Sequence, residues 1–277
     1  MTSLMDLTSL RLGIHGPLAE WLEFNRTGAF TSPELLGLIA PFPPLPRMII
    51  TTGLTEPKDF ASHGYDILKA LSEASPTPLS DFHDVLDFGV GVGRLARMFK
   101  GFRGRYTGVD VDARNVAWVD RALSHVKAVL TKPRKTLPLT SQQFDLIISV
   151  SVFSHMSERD QLFYLAELAR LATPGAIVLL TVHGERALQR AETEDRIYKM
   201  LEVSSSAIKD ARQSFQRGGF RFIRQWFGHL NNLFYAYGIT FISEDYARRV
   251  WSKYFDVISI RSGAIHDFQD IIVLRAR

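Results

Sequence analysis

Between residues 84 and 183, short apolar runs take turns with stretches of helical spacing, and this alternation limits the chain more than any other feature. Residues 85–88, 105–112, which end in acids, 126–130, weakly, 144–150 and 176–182 predict strands. Leu95, Met98 and Phe99, then Val116, Val119 and Leu123, then Leu162, Leu165 and Leu168 give helical faces between them. Ser157 with Asp160 forms a capping-box pattern for the last of these, and "TPG" at 173–175 is expected to stop it. Strands that alternate with helices imply a parallel sheet covered on both faces. Two final runs, 255–260 and 270–275, lie nine residues apart, too close for a helical crossover, and predict an antiparallel pair.

The flanks follow other rules. Residues 1 to about 55 suggest a helical extension ending in "PFPPLPR" (41–47), whose prolines favour an extended path. Pro57 opens a helix with Phe60, Ile67, Leu68 and Leu71 on one face, broken by "SPTPLSD" at 75–81. We therefore expect an extension or lid over 1–75 and a main domain over 76–277, with a cap inserted at about 184–240. Ser243 predicts a helix cap, with Tyr246, Val250, Trp251 and Tyr254 as the apolar face. The chain has no cysteine, so disulfides, thiolate catalysis and Cys-bound zinc are excluded. No H-x-x-x-H or H-E-x-x-H occurs, and no metal site is expected. No run approaches a membrane span and no leader pattern opens the chain, so a cytoplasmic protein is expected. A net charge of +4 is too mild for a dedicated nucleic-acid binder. The excess is local: Lys209, Arg212, Arg217, Arg221 and Arg224 stand against Asp210 alone. Interleaved with aromatics, this segment suits an amphipathic cap, with an anionic substrate or a nucleic acid as lesser alternatives.

"DVLDFGVGVGRLAR" (84–97) sits at the first strand-to-helix turn. Glycines there permit positive φ and close backbone approach to a ligand. The expected following helix offers free N–H groups. "GVGRLA" (91–96), with Asp110 nineteen residues after Gly91, satisfies a dinucleotide fingerprint. A nicotinamide enzyme therefore stays open on the turn alone. The leading Asp87 points elsewhere, since a carboxylate on the strand suits a ligand bearing an ammonium group.

With "LDFGVGVGRL", "GVDVD", "FDLIISVSVFSHM" and "LARLATPGAIVLLTVHG", residues 84–183 resemble the class I S-adenosylmethionine-dependent methyltransferases, closest to a bacterial subgroup acting on small metabolites, natural-product intermediates and saccharides. The resemblance implies an α/β Rossmann-like seven-stranded sheet in the order 3-2-1-4-5-7-6. It implies S-adenosylmethionine as cofactor, held by Gly89, Val90, Gly91 and Gly93. Asp87 would face the methionine amine, Asp110 the ribose diol and Val111 the adenine. Val150, Ser151 and Phe153 would line the methionine side. The family's aspartate after the third strand has no counterpart in "TKPRKTLPL", which leaves Leu137 as the ring contact. His155 and His183 follow the fourth and fifth strands, where a general base would stand. His155 is the preferred base, while His266, Asp267 and Asp270 are weaker candidates. The implied function is methylation of a small-molecule or saccharide acceptor, at oxygen before nitrogen. A nicotinamide-dependent oxidoreductase and a catalytically silent methyltransferase-like subunit remain alternatives.

Overall fold

A computed structural model describes residues 13–225 and 236–277. The strands are β1 (Asp84–Phe88), β2 (Arg105–Asp110), β3 (Val126–Leu130), β4 (Phe144–Ser149), β5 (Ala172–His183), β6 (Phe220–Arg224), β7 (Gly238–Ile242), β8 (Asp256–Ile265) and β9 (Gln269–Arg275). Parallel pairing joins β3, β2, β1, β4 and β5, and β9 continues the sheet antiparallel to β5 and β8. The seven expected strands thus stand in the expected order, with β8 sixth and β9 seventh. Among the described residues the sheet has nine strands, not seven, because an antiparallel hairpin, β6 and β7, joins β5 at its far end through His183↔Phe241.

Helices cover both faces. They are α1 (Leu18–Arg26), α2 (Pro33–Leu36), α3 (Leu45–Thr52), α4 (Pro57–Ala74), α5 (Ala113–Ala122), α6 (Glu158–Leu171), α7 (Glu185–Thr193), α8 (Asp195–Leu201), α9 (Ser205–Gln216) and α10 (Glu244–Tyr246). Alternation along each strand feeds two cores. Val85, Leu146, Ile148 and Leu179 pack under α4 with Leu68 and Leu71. Leu86, Ile147 and Val178 pack under α6 with Leu165, Leu168 and Trp251. Ser157 caps α6 by accepting from the Asp160 N–H, as its spacing predicts.

Three local expectations need correction. The proline-rich connector is extended only to Pro44; then α3 begins, with Pro46 in its first turn, where a missing N–H costs nothing. The helix expected after the glycine turn is a single 3-10 turn, Ala96–Phe99, because Gly101 at φ 82° ends it. Residues 173–175 do not simply stop α6, which ends at Leu171; they bulge within β5, where the register slips between Phe144↔Ala172 and Leu146↔Ile177.

The extension is fastened to the core. Trp21 Nε1 donates to the Met98 carbonyl at 2.8 Å. Arg97, buried, donates to the Ala40 carbonyl at 2.6 Å and lies 4.0 Å from the Phe42 ring centre. Among the described residues no helix is long and apolar enough to cross a membrane.

Candidate functional site

The carboxyl ends of β1, β2 and β4 open into one cleft, where parallel sheets of this topology bind ligands. Its cavity is about 230 Å³. Its floor is the glycine turn. Gly89 has φ 87°, and a Cβ there would stand 2.3 Å from Val152 Cγ2. Gly89 and Val90 both donate to the Val109 carbonyl, and Gly91 N–H donates to Asp110 Oδ2 at 2.8 Å. Asp110 Oδ1 accepts from Asp112 N–H at 2.7 Å. The second-strand carboxylate is thus oriented by backbone donors before any ligand arrives.

Asp87 is 3% exposed and lines the cleft. Burial pushes its carboxyl up to about 7; the Tyr106 hydroxyl, donating at 2.8 Å, pulls the other way, and Asp110 adds a smaller upward push. Such a group gains most from a cationic ligand. Asn115 and Thr51 also line this cleft from α5 and α3, and among the described residues their buried Oδ1 and Oγ1 have no hydrogen-bond partner. Two unsatisfied polar atoms beside a primed carboxylate fit a ligand carrying several polar groups.

At the other end stands His155. Its Nδ1 lies 2.8 Å from the Gly238 carbonyl, an acceptor, so Nδ1 carries the proton and Nε2 the lone pair. The ring stacks on Tyr237 with centres 4.7 Å apart and planes 9° apart. Burial pushes its pKa down to about 4, against a smaller lift from the Gly238 carbonyl, so the ring is neutral at physiological pH. Ser151, at φ 58°, is held by its N–H to Thr181 Oγ1 and by its hydroxyl to the Gln269 amide.

Asp87, Gly89, Val90, Gly91, Asp110, Val111, Val150, Ser151 and His155 therefore come together on this cleft. Gly93, Leu137, Phe153 and His183 do not line it. Gly93 sits at φ 79° where a Cβ would meet Leu123 Cδ1 at 2.6 Å, so it serves packing against α5. Leu137 and Phe153 are buried in the core under α6; Thr131 lines the cleft near where Leu137 was expected. His183 is 2% exposed, packed between Phe241 and Phe268. Burial, with a smaller push from His155, lowers its pKa to about 3. His266 pairs with Asp66 at 3.0 Å and Asp267 with Arg186 at 2.5 Å, none of them lining the cleft, while Asp270 Oδ1 accepts from Gly263 N–H. The cap arginines are also engaged: Arg212 with Glu185 and Glu192, Arg221 with Asp210. Residues 226–235 of the aromatic-basic stretch lie outside the described residues. Sequence reasoning missed Thr51, Arg94, Asn115, Thr131 and Tyr237 as lining residues. Only Arg94 and Asn115 lay beside motifs that could have signalled them.

Residues 86–180 match the family model described as a methyltransferase domain. Among solved structures, the chain is similar to the PH0226 protein from Pyrococcus horikoshii OT3, at 14% identity over 83% of this chain and 96% of that one, with a TM-score of 0.58. It is similar to the glycopeptide N-methyltransferase MtfA, at 13% identity over 78% and 90% with a TM-score of 0.51. It is also similar to the [4+2]-cyclase SpnF, at 15% identity over 76% and 80% with a TM-score of 0.50.

Proposed function

We propose that the chain, whose residues 86–180 match a methyltransferase domain, is a class I S-adenosylmethionine-dependent methyltransferase that methylates a hydroxyl group on a small metabolite, natural-product intermediate or saccharide. The observation that carries this reading is the neutral imidazole of His155 lining the cleft, its tautomer fixed by Gly238. S-adenosylmethionine, the cofactor, supplies a methyl group already activated on a sulfonium. The work left to the protein is orientation, which is worth most when the acceptor lies in line with the breaking bond.

Asp87 would pair with the methionine ammonium, and Asp110 would accept from the ribose hydroxyls on the lone pairs its backbone donors leave free. Asn115, Thr131 and Val111 would hold the adenine. His155 Nε2 accepts a hydrogen bond from the acceptor O–H, turning an oxygen lone pair toward the methyl carbon. An imidazole with a pKa near 4 is a poor base toward an alcohol. It is adequate toward a methylated oxygen that still holds its proton, since that group is strongly acidic. The proton therefore leaves late, to Nε2. The extension, through Thr51 and Thr52, and the insertion, through Tyr237, act as lid and cap that exclude water from the acceptor. The paired state of Arg212 and Arg221 favours the cap over a nucleic-acid surface.

His155→Ala and His155→Gln test the assignment. Turnover should fall ~10²-fold or more in the alanine variant, with S-adenosylhomocysteine affinity within about twofold of wild type. A parallel loss of affinity would make His155 a cofactor contact instead.

A further inference from the structure

The β6–β7 hairpin lies outside the seven expected strands, yet it reaches the cleft, because Tyr237, just ahead of β7, lines it. β7 pairs with β6 from Gly238 to Ile242, but among the described residues it pairs with β5 at His183↔Phe241 alone. The Tyr237 carbonyl faces β6, where it accepts from Gln225 N–H. The carbonyls of Gly238 and Thr240 therefore point to the other edge, where a buried strand needs donors. Two imidazoles supply them. The Gly238 carbonyl accepts from His155 Nδ1 at 2.8 Å, and the Thr240 carbonyl accepts from the His183 ring. The Thr240 side chain adds a third tie. It is fully buried, and its hydroxyl donates to the Met156 carbonyl at 2.6 Å. Met156 closes the single turn Phe153–His155 that carries the imidazole. A Cβ at Gly238 would stand 2.2 Å from the Ile223 carbonyl oxygen, so glycine is what lets β6 and β7 close together at this point.

We propose that Thr240 is a positioning residue for His155: by tying β7 to the turn after β4, it keeps the Gly238 carbonyl on Nδ1 and leaves Nε2 for the acceptor. An imidazole can offer either nitrogen, and the hydrogen bond made by one decides the state of the other. Here that choice falls to a backbone carbonyl, which no substitution removes. Its place depends on how firmly β7 meets the turn, and Thr240 makes that junction from two residues away. Without the hydroxyl, the buried Met156 carbonyl loses its donor, which costs free energy unless strand and turn move apart to find another. The ring is then free to turn over between Gly238 and Tyr237, which stacks on it at 4.7 Å. The effect on turnover rests on the reading of His155 as the acceptor's hydrogen-bond partner; the placement of the ring does not.

The test compares the full chain with its Thr240→Val and Thr240→Ser variants by heteronuclear NMR of the imidazole nitrogens, without ligand. The signals of His155 are those that vanish in His155→Gln. Wild type should show one neutral tautomer with the proton on Nδ1. Thr240→Val, which keeps the shape and loses the donor, should show both tautomers or exchange between them, and Thr240→Ser should restore the single form. Turnover of Thr240→Val should fall ~10–100-fold while S-adenosylhomocysteine affinity, read by calorimetry, stays within about twofold, because a displaced group costs rate and the cofactor contacts lie on β1 and β2. Should the valine variant not fold, Thr240→Ala takes its place with the same expectation, since the smaller side chain leaves room for water at the Met156 carbonyl. The proposal is overturned if the folded variant keeps the wild-type tautomer. It is equally overturned if Thr240→Ser behaves as Thr240→Val, which would assign the effect to packing of the methyl group. A ring released as expected with turnover unchanged would leave the positioning intact and overturn the role of His155 at the acceptor instead, a separate result.

Discussion

Replacing Asp87 by asparagine should make the ligand-free protein more stable and its cofactor binding worse, and the pH dependence shows why. In the folded protein the Asp87 carboxyl is pushed up to about 7 from an ordinary 3.8. Between those values the folded state holds a proton that the unfolded state has released. Stability therefore falls as pH rises through this window and levels off above pH 7. The slope is about 1.4 kcal/mol per pH unit. From pH 5 to pH 8, wild type should lose on the order of 3 kcal/mol relative to Asp87→Asn, which cannot titrate but still accepts from Tyr106. Denaturant unfolding of both proteins without cofactor, at pH 5, 6, 7 and 8, reads this difference directly. With cofactor the sign reverses. An ammonium ligand prefers the carboxylate, so wild-type affinity should climb toward tenfold per pH unit below pH 7 and then plateau. The variant should show weaker, pH-independent binding. Stability curves that run parallel across the whole range would refute the reasoning.

The other predictions concern the histidines and the turn. His183→Phe should retain turnover within about threefold of wild type, measured as initial rates, since the ring is packed between phenylalanines and does not reach the cleft. His155 and His183 are held down to about 4 and about 3, below the ordinary 6.5. The unfolded state therefore takes up protons first as pH falls below 6.5, and stability is lost toward pH 4. His183→Phe should remove about half of the loss due to these two rings, seen in melting temperatures between pH 4.5 and 6.5. No rate limb from His155 should appear between pH 5 and 9. Gly89→Ala puts a Cβ 2.3 Å from Val152 Cγ2 at φ 87°, and overpacking of this kind costs roughly 1–3 kcal/mol. Its melting temperature and S-adenosylhomocysteine affinity should both drop.

The central sheet was legible because β4 and β5 carry long apolar runs and helices such as α4 and α6 present one buried face, as with Phe60, Ile67, Leu68 and Leu71 of α4. The floor of the site was legible for a related reason. Gly89, Gly91 and Asp110 act through their own backbone and its immediate neighbours, so local sequence carries the signal. The β6–β7 hairpin was hidden because "FRFIR" alternates apolar and basic residues on a half-buried edge, a pattern also expected of an amphipathic cap. The walls of the cleft were hidden because they are assembled across long separations. Thr51 reaches it from the extension and Tyr237 from the insertion, and no local motif marks either. Phe153, carried over from the family resemblance, and His183, placed by its strand end, do not line the cleft. One residue of rotation at a strand end exchanges cleft for core, and in both cases the aromatic ring went to the core.

A crystal structure of the S-adenosylhomocysteine complex tests the central claim most directly. The account predicts the ligand across the ends of β1, β2 and β4, its amine at Asp87, its ribose hydroxyls at Asp110 and its sulfur facing His155. A ligand bound elsewhere, or one in this cleft with its amine away from Asp87 and its ribose away from Asp110, would contradict it.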